Sequence, residues 1–183
     1  PGIPGGDLGV DSDGFFAMAD RPDRVAVVGA GYIAVELAGV LQALGSEVAL
    51  VVRREQPLRG FDEAIRDAYT DAIGQHGPRL VNHFTPVGLE AAWGGYTLYA
   101  EDGRSLEGLD QVIWAVGRIP NTDELGLEAA GVRMSGRGTI PVDDWQASNQ
   151  PHIFALGDVT DNPYPLTPVA IAAGRRLADR LWG

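Results

Sequence analysis

Cysteine is absent from the 183 residues. That removes a disulfide framework, a thiolate metal site and a thiol nucleophile from anything this chain does by itself. Lysine is absent as well, so all 14 basic residues are arginine, which we read as a compositional bias of the source. Basic charge is scarce against 25 Asp and Glu, and the net charge of −11 argues against nucleic acid or an anionic membrane as partner. No apolar run approaches the roughly 20 residues that cross a bilayer, and the start of the chain lacks signal-peptide organisation. The expectation is a soluble, cytoplasmic protein. Internal repeats and low-complexity segments are missing too. What remains is ordinary for a globular chain, with 45% hydrophobic and 21% charged residues and enough length to bury one or two cores.

One stretch stands out. Val25–Val28 is a short apolar run leading into Gly29-Ala30-Gly31-Tyr32-Ile33-Ala34, with a helical pattern behind it through Glu36. This is the strand, glycine turn and helix that build a dinucleotide pyrophosphate site. Gly29 allows the sharp turn, Gly31 lets the backbone approach the pyrophosphate, and Ala34 is small enough for helix and strand to pack closely. The helix N-terminus adds free N–H groups and a positive dipole end.

The end of the second strand, Val48–Val52, selects the dinucleotide. An NAD site carries Asp or Glu about 20 residues past the glycines, to hold the ribose 2′-hydroxyl. Here Arg53 stands in that position, with Arg54 beside it and Arg59 along the loop. A guanidinium binds a 2′-phosphate bidentately where a carboxylate would repel it. The reading is NADPH. The alternative is that the three arginines are solvated surface charges, and Glu55 lies past the strand end, pointing to solvent.

The rest of the chain shows a change of rhythm. Pro1–Gly6 reads as a chain cut in mid-loop, which implies an excised fragment. Ser12 or Asp13 caps a turn before the first strand. A helix runs from about Tyr32 to Leu44 and stops at Gly45, and Asp62 opens another through about Ile73, ended by Gly74 and Gly77-Pro78. From Arg79 the pattern alternates: Val87–Ala92 and Tyr96–Glu101 flank a hairpin turn at Trp93-Gly94-Gly95, and Asp102-Gly103 marks a second turn. An antiparallel meander inserted between parallel strands is the expected account, with Val112–Val116 returning as a buried strand. Beyond it come a short strand near Thr139–Val142, an apolar strand at Ile153–Leu156 covered on both faces, and a helix over about Pro168–Leu181. That helix carries a stripe of Val169, Ala172, Ala173, Leu177 and Leu181. A boundary near Arg118–Pro120 divides the chain into residues 1–118 and 119–183.

Five ordered motifs carry a family resemblance. They are Gly29 to Ala38, Val52 to Asp62, Ile113-Trp-Ala-Val-Gly-Arg-Ile-Pro-Asn121, Ile153-Phe-Ala-Leu-Gly-Asp158 and Leu166-Thr-Pro-Val-Ala-Ile-Ala-Ala-Gly174. Over essentially its whole length the chain resembles the middle of the glutathione reductase branch of the flavin-dependent pyridine nucleotide–disulfide reductases. The resemblance implies an α/β fold: a Rossmann-like parallel sheet with an inserted antiparallel β-meander, followed by the C-terminal segment of an FAD-binding domain. It implies that Gly29, Ala30, Gly31, Ile33 and Ala34 bind the NADPH pyrophosphate and that Tyr32 is an aromatic lid over the nicotinamide pocket. Glu36 would contact the nicotinamide carboxamide and pair with a lysine outside this chain. Arg53 and Arg59 would hold the 2′-phosphate, Gly117 would approach the cofactor ribose, and Arg118 would lie near the pyrophosphate. Gly157 and Asp158 would meet the ribityl chain of FAD, and Leu166 and Thr167 would start a helix facing the flavin. Read without the family, Tyr32 is a first-turn aromatic, Glu36 a solvated helix residue, Asp158 a turn residue and Thr167 an N-cap with Pro168 at the first helical position.

The resemblance also bounds the activity. The redox cysteine pair and the acid–base histidine of the family lie outside the chain, and His76, His83 and His152 match no catalytic position. The implied parent is a homodimeric NADPH-dependent enzyme that reduces glutathione disulfide through FAD, with no metal, and the fragment alone is expected to be inactive. A trypanothione or mercuric reductase type, or a non-catalytic NADPH-binding module, remains the alternative.

Overall fold

The computed structural model describes residues 1–183, which divide into two compact units, Pro1–Gly117 and Arg118–Gly183. In the first unit, β1 (Arg24–Val28), α2 (Tyr32–Ala43, after the short α1 at Ser12–Ala17), β2 (Glu47–Val51), α3 (Glu63–His76) and β3 (Arg79–Val81) alternate. Next come β4 (Pro86–Ala92), β5 (Gly95–Ala100) and β6 (Ser105–Leu109), and then β7 (Gln111–Trp114). β1, β2, β3 and β7 form one parallel sheet in the order β3-β2-β1-β7, and β4-β5-β6 form a separate antiparallel sheet. The mixed α/β architecture with an inserted meander is therefore the one expected.

Strand periodicity explains the layering. Side chains alternate across a strand, and β1 is apolar on both sides. Val25 and Val27 face a cluster with Leu50, Ile113 and the α2 residues Ala34, Leu37, Ala38 and Leu41. Ala26 and Val28 face the opposite cluster, with Phe84, Leu89, Leu98, Leu109 and Trp114. The parallel sheet thus lies between helices on one face and the antiparallel sheet on the other. The helices stop where their chemistry says they should. Gly45 follows the α2 C-cap at φ 95°, and the Asp62 carboxylate caps α3 by accepting from the Ala64 N–H at 2.9 Å.

A strap precedes β1. Val10 N–H donates to the Val112 carbonyl at 2.9 Å and the Val10 carbonyl accepts from Trp114 N–H at 2.7 Å, while Leu89 N–H donates to the Pro4 carbonyl at 3.0 Å. The Trp114 indole N–H donates to the Gly6 carbonyl at 2.8 Å. Residues 4–10 therefore lie along β7 of one sheet and β4 of the other.

Several local expectations are corrected. The cap of α1 is Asp11, not Ser12 or Asp13, because its carboxylate accepts from Gly14 N–H at 3.0 Å. α3 continues through Gly74 to His76: a glycine inside a helix costs only about 1 kcal/mol, and the stop comes where Gly77-Pro78 removes the next donor.

In the second unit, the strand expected at Thr139–Val142 is a single bridge, Ile140 to Thr160, and Ile153–Leu156 is a single antiparallel bridge, Phe154 to Ala147. A strand exists only where a neighbour accepts its ladder, and within this unit Ile153–Leu156 finds little more than the turn at Gln146–Ser148. The core here is small, built on Val132, Ile140 and Ala155. The final helix, α4 (Thr167–Trp182), buries Leu177 with Ala170, Ala173, Gly174 and Leu181 partly covered, and Ala172 from the expected stripe is exposed. Its N-cap is Leu166, so Thr167 is the first helical residue rather than the cap.

Leu98 is fully buried in the antiparallel sheet, whereas Trp93 at the β4–β5 turn is fully exposed. Leu98→Ala should cost about 2–5 kcal/mol of unfolding free energy, and Trp93→Ala no more than about 0.5 kcal/mol. Urea denaturation of the two variants checks this, and equal losses would contradict the layering.

Candidate dinucleotide-binding site

The site begins at the C-terminal ends of β1, β2 and β7. In an open α/β sheet the strand order reverses here, since β1 connects onward to β2 on one side and is flanked by β7 on the other. Gly29 turns the chain at φ 154°, its N–H donating to the Val51 carbonyl at 3.0 Å. A Cβ at this position would run into the Ala115 carbonyl oxygen, so glycine is required both by conformation and by the neighbouring backbone. Gly31 differs. It is the N-cap of α2 with no side-chain cap, and a Cβ there would meet nothing within 4 Å. The positive end of α2 thus opens, without a side-chain cap, onto the space beside Gly31.

The basic loop is built from buried anchors with charged residues between them. Pro57 and Leu58 are buried, and Leu58 N–H donates to the Ala30 carbonyl at 2.6 Å, which ties the loop to the glycine turn. Leu58 takes φ 60°, unusual for a residue with a Cβ. Arg53, Arg54 and Arg59 are exposed around these anchors, and none is in an ion pair with a carboxylate.

These pieces meet in one cleft of about 410 Å³. Gly29, Ala30, Gly31, Tyr32, Arg53, Arg59 and Gly117 line it, together with Arg54, Gln56, Leu58, Phe61 and Pro86, which sequence reasoning had not assigned to the site. No carboxylate lines the cleft. In a chain of net charge −11, three guanidiniums without an acid make a local anion-attracting field.

Three expected residues lie elsewhere. Ile33 and Ala34 pack into the core beneath the turn, so their part is to seat α2 rather than to face a ligand. Glu36 is exposed on α2, as the reading without the family had it, and does not line the cleft.

The second unit carries its own depression, of about 540 Å³, lined by Arg118, Pro120, Asn121, Arg137, Asp158 and Thr160 among others. Arg118 and Asp158 form an exposed ion pair at 3.2 Å. Gly157 begins a 3-10 turn at φ 76° rather than closing a strand. Leu166 and Thr167 are exposed at the start of α4, whose N-terminal amides have no side-chain cap.

With this geometry in place, similarity to known proteins can be set beside it. Residues 1–174 match the family model described as pyridine nucleotide-disulphide oxidoreductase. The chain belongs to this family. Among curated members, the glutathione reductase of Schizosaccharomyces pombe is 43% identical over 194 residues, covering 99% of this chain and 39% of that protein. The glutathione reductase of Yarrowia lipolytica is 44% identical over 186 residues, covering 100% of this chain and 39% of that protein. The chain therefore spans about two fifths of the length of these relatives.

Solved structures of flavoproteins share the fold. The HOCl-induced flavoprotein disulfide reductase RclA of Escherichia coli superposes with a TM-score of 0.90 at 27% identity, covering 100% of this chain and 42% of that one. An engineered water-forming NADPH oxidase bound to NADPH gives a TM-score of 0.85 at 30% identity, covering 100% of this chain and 43% of that one. No helix of this family member is long and apolar enough to cross a membrane.

The two glycines make a paired test. Gly29→Ser should lose at least about 1–3 kcal/mol of stability, from forced backbone and collision with Ala115. Gly31→Ser should hold or gain stability, because it adds a capping hydroxyl in open space. Thermal unfolding of both variants separates a glycine the fold needs from one a ligand would need.

Proposed function

We propose that the chain is the NADPH-binding portion, residues 1–118, and the adjoining FAD-domain segment, residues 119–183, of a flavin-dependent disulfide reductase whose substrate is glutathione disulfide. One observation carries the nucleotide reading: the glycine turn, the uncapped α2 N-terminus and three arginines line a single cleft that contains no carboxylate. The open space at Gly31 fits a pyrophosphate, and the helix amides fit its charge. Arg53 and Arg59 would take the 2′-phosphate that distinguishes NADPH, and Tyr32 would cover the nicotinamide end.

NADPH would supply a hydride at this cleft. The chain's residues bind and orient the donor; none is placed to carry the later dithiol chemistry, since cysteine is absent. Disulfide reduction by this chain alone is therefore expected to be nil. For FAD, Gly157, Asp158, Leu166 and Thr167 are the residues this chain would contribute, with the α4 N-terminus favouring negative charge nearby. Asp158 is paired with Arg118 at 3.2 Å, and accepting from a ribityl hydroxyl requires it to share or exchange that partner. Glutathione disulfide as substrate rests on the likeness to the glutathione reductases of the two yeasts, and a homodimeric parent on the family resemblance alone.

Cofactor choice is directly testable. Each charge-assisted contact to a 2′-phosphate is worth roughly 1.5–3 kcal/mol, so NADPH should bind at least about a hundredfold more tightly than NADH. Arg53→Glu combined with Arg59→Ala should collapse or invert that ratio in calorimetric titration. Equal affinities for the unaltered chain would refute the reading. Tyr32 lines the cleft at the helix start. Tyr32→Gly should leave 2′,5′-ADP binding within about twofold while changing that of the whole dinucleotide. A large loss of 2′,5′-ADP affinity would make Tyr32 a structural residue instead.

A further inference from the structure

The segment Asn82–Thr85, between β3 and β4, lies between the basic loop and the antiparallel sheet and is bonded to both. Toward the basic loop it donates. His83 N–H reaches the Arg54 carbonyl at 3.2 Å, Phe84 N–H reaches the Val52 carbonyl at 3.1 Å, and the Asn82 side-chain amide reaches the Glu55 carbonyl at 3.5 Å. Three successive residues thus hold the backbone on which Arg53 and Arg54 are mounted.

Toward the antiparallel sheet the same segment accepts, and Arg104 is the donor. Its guanidinium donates to the Asn82 carbonyl at 3.3 and 3.4 Å and to the His83 carbonyl, and it lies over the Phe84 ring at 5.4 Å. The guanidinium is itself oriented. Arg104 Nε donates to the Asp102 carboxylate at 2.8 Å, and Arg104 N–H donates to the other oxygen at 3.1 Å. The backbone N–H of Arg104, ahead of its guanidinium, holds the Asp102 carboxyl below the usual carboxylate range. Glu101 N–H to the Thr85 carbonyl at 2.9 Å closes the same junction. At its centre His83 sits at φ 51°, a left-handed conformation that a residue with a Cβ holds only when its surroundings impose it.

We propose that Arg104 is a positioning residue for the basic loop, so that the β5–β6 turn sets the preference for a 2′-phosphorylated dinucleotide. This rests on the NADPH reading above. Arg104 does not line the cleft and touches no ligand. It fixes the Asn82 and His83 carbonyls, and the N–H groups of those same two peptides hold the Arg54 and Val52 carbonyls on either side of Arg53; a binding group held by such support loses little freedom when the ligand arrives. NADH has no 2′-phosphate and makes no use of the supported arginines.

The test is calorimetric titration of the full 183-residue chain with NADPH and with NADH, for the unaltered protein and its variants. Arg104→Ala should weaken NADPH about five- to tenfold and leave NADH within about twofold. Arg104→Lys should fall between, since an ammonium keeps charge but offers no planar fork to two carbonyls. In an Arg53→Ala, Arg54→Ala, Arg59→Ala background, Arg104→Ala should have no further effect on NADPH. Should Arg104→Ala unfold the chain, Arg104→Lys and Asp102→Asn carry the test, and an unchanged NADPH-to-NADH ratio in both overturns the proposal. An equal loss of both nucleotides, or an undiminished effect in the triple background, also overturns it. A chain that binds the two nucleotides alike at the outset defeats the cleft reading and this proposal together; one that prefers NADPH but ignores Arg104 defeats only this proposal.

Discussion

The passage of the chain at Gly29, between the end of β2 and the backbone of Ala115, governs what the cleft can be. Its N–H is spent on the Val51 carbonyl, and Ala115 N–H is spent on the Val28 carbonyl at 2.8 Å, so three strand ends are locked at one level. With those bonds made, α2 starts at Tyr32, and its N-terminus faces the space that Gly31 leaves open. The basic loop is then drawn in from the far side by Leu58 N–H on the Ala30 carbonyl. A side chain at position 29 would disturb all of these at once, because the obstacle is backbone and has no rotamer to change.

Those parts of the molecule were legible in the sequence because each rests on a local rule. The apolar run at Val25–Val28, the glycine turn and the Gly45 stop place β1 and α2 within a residue of where they stand. The alternation over Val87–Ala92 and Tyr96–Glu101 around Trp93-Gly94-Gly95 shows the hairpin to within a residue of its observed strands. Arg53 and Arg59 were identifiable from their distance past the glycines. What failed was what depends on neighbours. Ile153–Leu156 has the composition of a doubly covered strand, but composition does not supply a ladder, and the structure offers it one bridge. Arg104 was invisible for a similar reason: its bonds span 21 and 22 residues and follow no motif.

The two units differ in how they hold themselves together. The first buries strands on both faces, and its hydrogen bonds run mostly in ladders. The second relies on turns and side-chain bonds to backbone, such as Asn149 and Gln150 amides on the Gly131 carbonyl, each at 2.8 Å, and Arg180 over the rings of Trp145 and Phe154. Turn-built structure of this kind opens locally more readily than sheet, since few buried apolar contacts resist the opening.

The strap at residues 4–10 carries a consequence for the order of assembly. Its partners on β7 lie about a hundred positions later, with 108 residues separating Gly6 from Trp114. It cannot pair until the meander has been made and β7 has been laid beside β1. On a ribosome, the earlier-synthesised stretch must therefore wait through the whole first unit before it docks. Until then β7 and β4 each present an open edge, the kind of surface on which nascent chains join one another. The strap thus closes two edges at once, with a segment drawn from the opposite end of the unit.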